Sequence, residues 1–163
     1  MTSDYPPQPG QYGYSGGYPP PGPGGQPGSL GLRFGARIID GLIVGIVGGI
    51  IVYVIGAASN VWITGLFTGA LTFAYYVAFE VTQGWTPGKK ILGLSVHGPG
   101  GAAKPTAAQS AIRNSWTLLP IIPFIGGLLG VVAIVVIAVT INSSPTKQGK
   151  HDELAGGTQV VKA

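Results

Sequence analysis

Two apolar runs joined by only two polar residues constrain this chain more than any other feature. The first extends from about Leu32 to Ala58 and the second from about Val61 to Val81. A hydrocarbon core of roughly 30 Å is crossed by about 20 helical residues, so both runs are long enough to span a bilayer. Ser59 and Asn60 alone connect them, which predicts a tight helical hairpin. Only 9% of the 163 residues are charged, against about a quarter in soluble domains, so lipid is expected as the main solvent.

A third apolar region, Trp116 to Ile141, admits two readings. As one helix it holds Pro120, Pro123, Gly126 and Gly127 near its start, and an interior proline both loses a hydrogen bond and crowds the preceding turn. The other reading places a helix at about Pro105 to Ile121, a break through Pro123 to Gly127, and a helix at about Leu128 to Asn142. The nine basic residues are Arg33, Arg37, Lys89, Lys90, Lys104, Arg113, Lys147, Lys150 and Lys162, and none lies in the connection at Ser59-Asn60. With four helices all of them fall on one side, as the positive-inside rule requires; with three, the last three would be exported. Four is therefore favoured over three, with the N-terminus and the basic loop cytoplasmic. Arg113 makes the third helix half interfacial on this reading. The expected architecture is an all-α integral membrane protein, a small multi-pass bundle in a cell (inner or plasma) membrane.

Residues 1–29 are rich in Pro, Gly and Tyr, with Asp4 as their only charge. Nothing there buries enough apolar surface to offset the entropy of ordering, so a disordered tail is expected before a transmembrane domain at 30–163. It lacks the basic start and apolar core of a signal peptide. Between the second and third helices, Ile91 to Val96 reads as a short strand stopped by the turn residues Gly98-Pro99-Gly100-Gly101. The C-terminal Thr158-Gln159-Val160-Val161 reads likewise. Two such strands are marginal alone, so they are expected to pair with each other as a two-stranded cytoplasmic unit against the bundle.

Without cysteine, disulfides and thiolate metal sites are excluded. His97 and His151 have no metal-ligand spacing, and no metal or cofactor is expected. The net charge of +4 flanks apolar runs rather than forming a stripe, which suits the lipid bilayer and not nucleic acid. Within the first helix, Arg37 and Asp40 are three residues apart and are expected to pair on one face. A carboxylate at that depth costs several kcal/mol unless paired or hydrated. Glu80 ends the second helix at a similar level. Thr86-Pro87-Gly88-Lys89-Lys90 reads as a turn with two bases that snorkel to headgroups, and Trp85 and Trp116 as an interfacial belt. His151-Asp152-Glu153 return to the same end. The outer halves hold no charge, so a proton-coupled carrier looks incomplete in one copy. The spacings Gly41-Gly45-Gly49, Gly65-Gly69 and Gly126-Gly130 let helix backbones approach, within the bundle, with other membrane proteins or in self-association. No activated nucleophile or supported carboxylate pair is present, so no enzyme is expected.

Three ordered motifs carry a resemblance to the RDD family of bacterial membrane proteins: Arg37-Ile38-Ile39-Asp40, the stretch from Glu80 through Thr86-Pro87-Gly88-Lys89 to Leu92-Gly93-Leu94, and Gln148 to Gly156 with His151-Asp152. The arginine and two aspartates for which that family is named correspond to Arg37, Asp40 and Asp152. The resemblance implies a cluster of these three, with Glu80, Gly88, Lys89 and His151 as further members. It also implies a membrane or transport role, cation/proton antiport being attributed to some members. The function expected is a non-enzymatic accessory or assembly component of a membrane or transport complex, with a secondary transporter as the alternative.

Overall fold

The computed structural model describes residues 25–162. The expectation of a disordered tail falls on residues outside that range up to position 24. Its last residues belong to the fold: Gln26–Pro27 form a short strand, β1, and Ser29 caps the first helix by accepting from the Leu32 amide at 3.3 Å. Helix α1 (Leu30–Val54) leads to a turn in which the Asn60 side chain accepts from the Trp62 and Ile63 amides, starting α2 (Val61–Gln83). The predicted hairpin is present. Gly84, at φ 75°, closes α2 in a left-handed conformation that glycine adopts without strain.

Pro87–Ile91 form one turn of helix, α3, where a proline-containing turn was expected. Proline at the first helical position gives up only an amide that would lack a partner anyway. Strand β2 (Leu94–His97) pairs antiparallel with β3 (Gln159–Lys162), placing Val96 opposite Val160. The expected pairing is therefore present, but β1 adds a third strand, in the order β1-β3-β2. Leu94, Val96 and Val160 bury themselves against Ala36, with Leu32 and Leu92 beside them, which fixes the sheet to the first two turns of α1.

Thr106 and Gln109 form a reciprocal capping box that starts α4 (Ala107–Asn114). The chain then tightens into a 3-10 helix over Ser115–Ile121, turns through Pro123 and Phe124, and enters α5 (Gly126–Ser143). Among the described residues, α1, α2 and α5 are the helices long and apolar enough to cross a membrane. The segment from Ala107 to Ile121 is not, as a uniform helix, one of them. It nevertheless runs antiparallel along α2. At one end Lys104 Nζ donates to the Thr82 carbonyl at 2.8 Å. At the other, Pro120 and Ile121 lie against Gly65 and Gly69. Seventeen residues of α2 rise roughly 25 Å. Eight α-helical and seven 3-10 residues reach about the same length, because a 3-10 turn rises ~2.0 Å per residue. The chain thus makes four legs, with the break where Pro123 to Gly127 were expected to impose it. Helix α6 (Lys150–Leu154) and β3 follow at the charged end.

Of the glycine stripes, Gly65 and Gly69 pack within the chain, whereas Gly41, Gly45 and Gly49 meet open space. A methyl added at Gly65 would lie 2.7 Å from the Pro120 carbonyl oxygen. Gly65→Ala is expected to destabilise the detergent-solubilised protein by about 1–3 kcal/mol, as overpacking does. Gly45→Ala is expected to leave it unchanged or improve it by up to ~1 kcal/mol through helix propensity. Thermal unfolding of the two variants side by side checks this; equal behaviour would contradict the packing.

Candidate functional site

Three buried carboxylates, none measurably exposed, organise the charged end: Asp40 on α1, Glu80 on α2 and Asp152 on α6. A carboxylate removed from water must be given back its hydrogen bonds or charge partners. Each receives them from different elements.

Asp40 sits at the start of α3. Its Oδ1 accepts from the Tyr75 hydroxyl and the Gly88 amide, both at 2.7 Å, and its Oδ2 from the Thr86 hydroxyl at 2.5 Å. Gly88 is required sterically, since a Cβ there would collide with the Ala36 carbonyl oxygen and approach the Asp40 carboxyl. The expected Arg37–Asp40 pair does not form. The two face different neighbours, and three neutral donors from α2 and α3 satisfy the carboxylate. Arg37 instead lays its guanidinium on the Tyr76 ring, 3.7 Å from the centroid, and faces Trp116 at 4.5 Å. Trp116, expected in an interfacial belt, thus also packs against Arg37.

Glu80 accepts from Lys89 Nζ at 2.7 Å, Arg113 Nη1 at 3.1 Å, and the Ser110 hydroxyl and Asn114 amide at 2.9 Å each. Lys89 is buried, contrary to its expected snorkelling, whereas Lys90 stays exposed beside Trp85. Burial pushes the Lys89 ammonium down to about 8, with Glu80 opposing the shift.

Asp152 accepts from Arg113 Nε at 2.7 Å, Arg33 Nη1 at 3.1 Å, the Gly149 amide at 3.1 Å and the Thr158 hydroxyl at 3.2 Å. Burial alone would raise its pKa, but Arg113 and then Arg33 outweigh it and hold the carboxyl well below its usual range. Arg113 is buried too and bridges Glu80 to Asp152. Arg33 also donates from Nε to the Gly28 carbonyl and from Nη2 to the Val160 carbonyl, tying β3 to α1. Asp152 is thus paired with Arg33 and Arg113, and Arg37 is not its partner.

The expected members Asp40, Glu80, Gly88, Lys89 and Asp152 do gather at one end, with Arg37 and His151 lining a cavity of about 100 Å³ beside them. Sequence reasoning missed Arg33, Tyr75, Thr86, Ser110, Arg113, Asn114 and Thr158 as partners. For three of them the signal was available: Ser110, Arg113 and Asn114 recur with Thr117 at helical spacing, and all four are buried. Among the described residues no cluster of His, Asp and Glu suits a metal ion.

Removing one partner of a buried ion pair leaves the other charge uncompensated, at about 3–5 kcal/mol. Arg113→Met is therefore expected to destabilise the protein by that order. A change below about 1 kcal/mol in chemical unfolding would contradict the bridge. His151 supplies a pH test. Burial pushes its imidazole down to about 3 from the usual 6.5, so the unfolded chain binds a proton in that window and the folded one does not. Stability should fall as pH drops from 6.5 towards about 3, with Asp152 adding to the loss at the acid end. His151→Gln should flatten the upper part of that profile, measured as unfolding temperature against pH.

Residues 27–156 match the model of the RDD family. No curated protein and no solved structure matches the chain. The match covers most of the chain and contains α1 to α6 with all three buried carboxylates. The chain belongs to the RDD family, and its three long apolar helices point to a membrane protein.

Proposed function

We propose that this chain is a non-enzymatic module of the cell (inner or plasma) membrane that serves as an accessory or assembly component of a larger membrane or transport complex. The observation that carries this reading is the use to which the family's charges are put. Asp40, Glu80 and Asp152 each hold three or four donors from other elements. They bind α1, α2, α3, α4 and α6 to one another. Charges committed in this way build a scaffold; they do not form a relay of exchangeable sites.

Two further features support it. The outer halves of the helices contain hydroxyls and one amide but no charged side chain, where a proton path needs charged or readily titrated groups. The Gly41-Gly45-Gly49 stripe lies exposed on α1 between exposed Leu42, Ile46 and Ile50, with nothing packed on it. Such a stripe suits close approach by a helix of another protein or another copy. With the positive-inside rule, the charged end is placed in the cytoplasm and the four legs in the membrane.

A cation/proton antiporter is the second reading, and Asp40 is the observation that favours it. This buried carboxylate is held by neutral donors alone and is the one of the three without an ion pair within 4 Å among the described residues.

Cation-driven proton flux in proteoliposomes of the purified protein separates the two, with Asp40→Asn measured alongside. The accessory reading expects no flux above empty vesicles, and an Asp40→Asn protein less stable by about 1–3 kcal/mol through mismatched buried hydrogen bonds. Flux by the unmodified protein that disappears in a well-folded Asp40→Asn variant would overturn it in favour of transport.

A further inference from the structure

The charged end is not neutral. Arg33, Arg37, Lys89 and Arg113 stand against Asp40, Glu80 and Asp152, four cations to three carboxylates, with His151 neutral at physiological pH. The single excess charge has an address. Arg33, Lys89 and Arg113 are each ion-paired, and Arg37 is the cation of the four without a carboxylate within 4 Å among the described residues.

Arg37 lines the cavity of about 100 Å³, together with Arg33, Lys89 and Arg113. That volume equals roughly three water molecules at ~30 Å³ each, enough for a phosphate group. The walls contain two further groups without partners. The Trp116 indole nitrogen and His151 Nδ1 are both buried and meet no hydrogen-bond partner among the described residues. An indole N–H only donates, and leaving such a donor unmade costs about 1–3 kcal/mol. An excess guanidinium beside an orphaned N–H calls for an acceptor with negative charge.

The opposite wall is apolar, made by Ile134, Ile137, Ala138 and Ile141 of α5. Helices α1 and α5 touch at only a few points. The rim between them carries Phe34 and Ile134, both exposed. The cavity is therefore part open on the side where two apolar helices face outward, and it combines a cationic end with a greasy flank. A free anion would use only the first; a phospholipid uses both. Basic pockets between membrane helices are a known kind of site for anionic headgroups.

We infer that this cavity binds the phosphate of an anionic phospholipid, with Arg37 as its charge partner, Trp116 Nε1 as a donor, and an acyl chain lying between α1 and α5 past Phe34 and Ile134. The stacking of Arg37 on Tyr76 and Trp116 holds the guanidinium in place for that contact, because a planar cation on aromatic faces keeps its N–H edge free.

The test uses the full chain with Trp62→Phe and Trp85→Phe, which leaves Trp116 as the single indole of the three in the sequence. It is reconstituted in phosphatidylcholine vesicles containing a fixed minor fraction of brominated phosphatidylglycerol or brominated phosphatidylcholine. Bromine on the anionic lipid is expected to quench Trp116 about fivefold more per molecule, the scale of one basic group acting on an anionic lipid. Arg37→Gln on this background should make the two lipids equal. Ala138→Phe, which obstructs the cavity and leaves every charge in place, should do the same, so the result does not rest on the arginine variant folding. Equal quenching in the parent would overturn the site. A preference that survives Ala138→Phe would overturn it in favour of general surface attraction. A preference abolished by added inorganic phosphate at constant ionic strength would assign the cavity to the free anion instead.

Discussion

Taking a charged group out of water is costly unless its partners come with it, and Arg113 is where this chain meets that requirement most fully. Its Nε holds Asp152 and its Nη1 holds Glu80, so one guanidinium joins α2, α4 and α6. Lys89 extends the series on the Glu80 side and Arg33 on the Asp152 side. In an environment with little water, these bonds also determine geometry. The third leg has no spanning helix to orient it, and the short strands cannot persist alone. Both are held by the same alternating row of charges. Hydrophobic burial adds to this chiefly at the sheet, where Leu94, Val96 and Val160 pack on Ala36, since the apolar faces of α1, α2 and α5 point largely outward.

The parts legible in the sequence were those decided within a few residues. The helical hairpin and the break ahead of the last long helix follow from local rules and are both present, although α1 stops at Val54, four residues short of the expected Ala58. The β2–β3 pairing was legible as well, since two short β-prone segments at one end had little else to pair with. The cluster's membership was legible through the family motifs. Its wiring was not. Spacing by three on one helix made Arg37 the obvious partner for Asp40, but such a rule compares only neighbours on the same helix. Tertiary donors from Tyr75, Thr86 and Gly88 satisfied the carboxylate instead. The partners of Arg113 were missed for a related reason. Average hydropathy marks its segment only as weakly apolar, while the polar stripe at Ser110, Arg113, Asn114 and Thr117 marks a face turned inward towards Glu80.

Glycine takes two distinct roles that spacing alone does not separate. Gly88 allows α3 to come so close to α1 that its amide reaches Asp40, and any Cβ would meet the Ala36 carbonyl. Gly65 and Gly69 likewise admit the 3-10 segment against α2. The stripe on α1 has the same four-residue period and no neighbour. One pattern thus serves an internal contact on α2 and leaves an exposed groove on α1, and the difference lies in which helix face the charged end turns inward.

That same charged end explains why the arginine of the first motif is the member left over. Arg33 and Arg113 already satisfy Asp152, and the donors around Asp40 are neutral, so no carboxylate remains for Arg37. Its neighbours are aromatic rings, which stabilise a cation from its faces and leave its edge uncommitted. A structural ion pair would have made that arginine interchangeable with the others. Its isolation beside a part-open cavity gives it a different character from the rest of the network. The scaffold is closed on itself at three carboxylates and open at one cation.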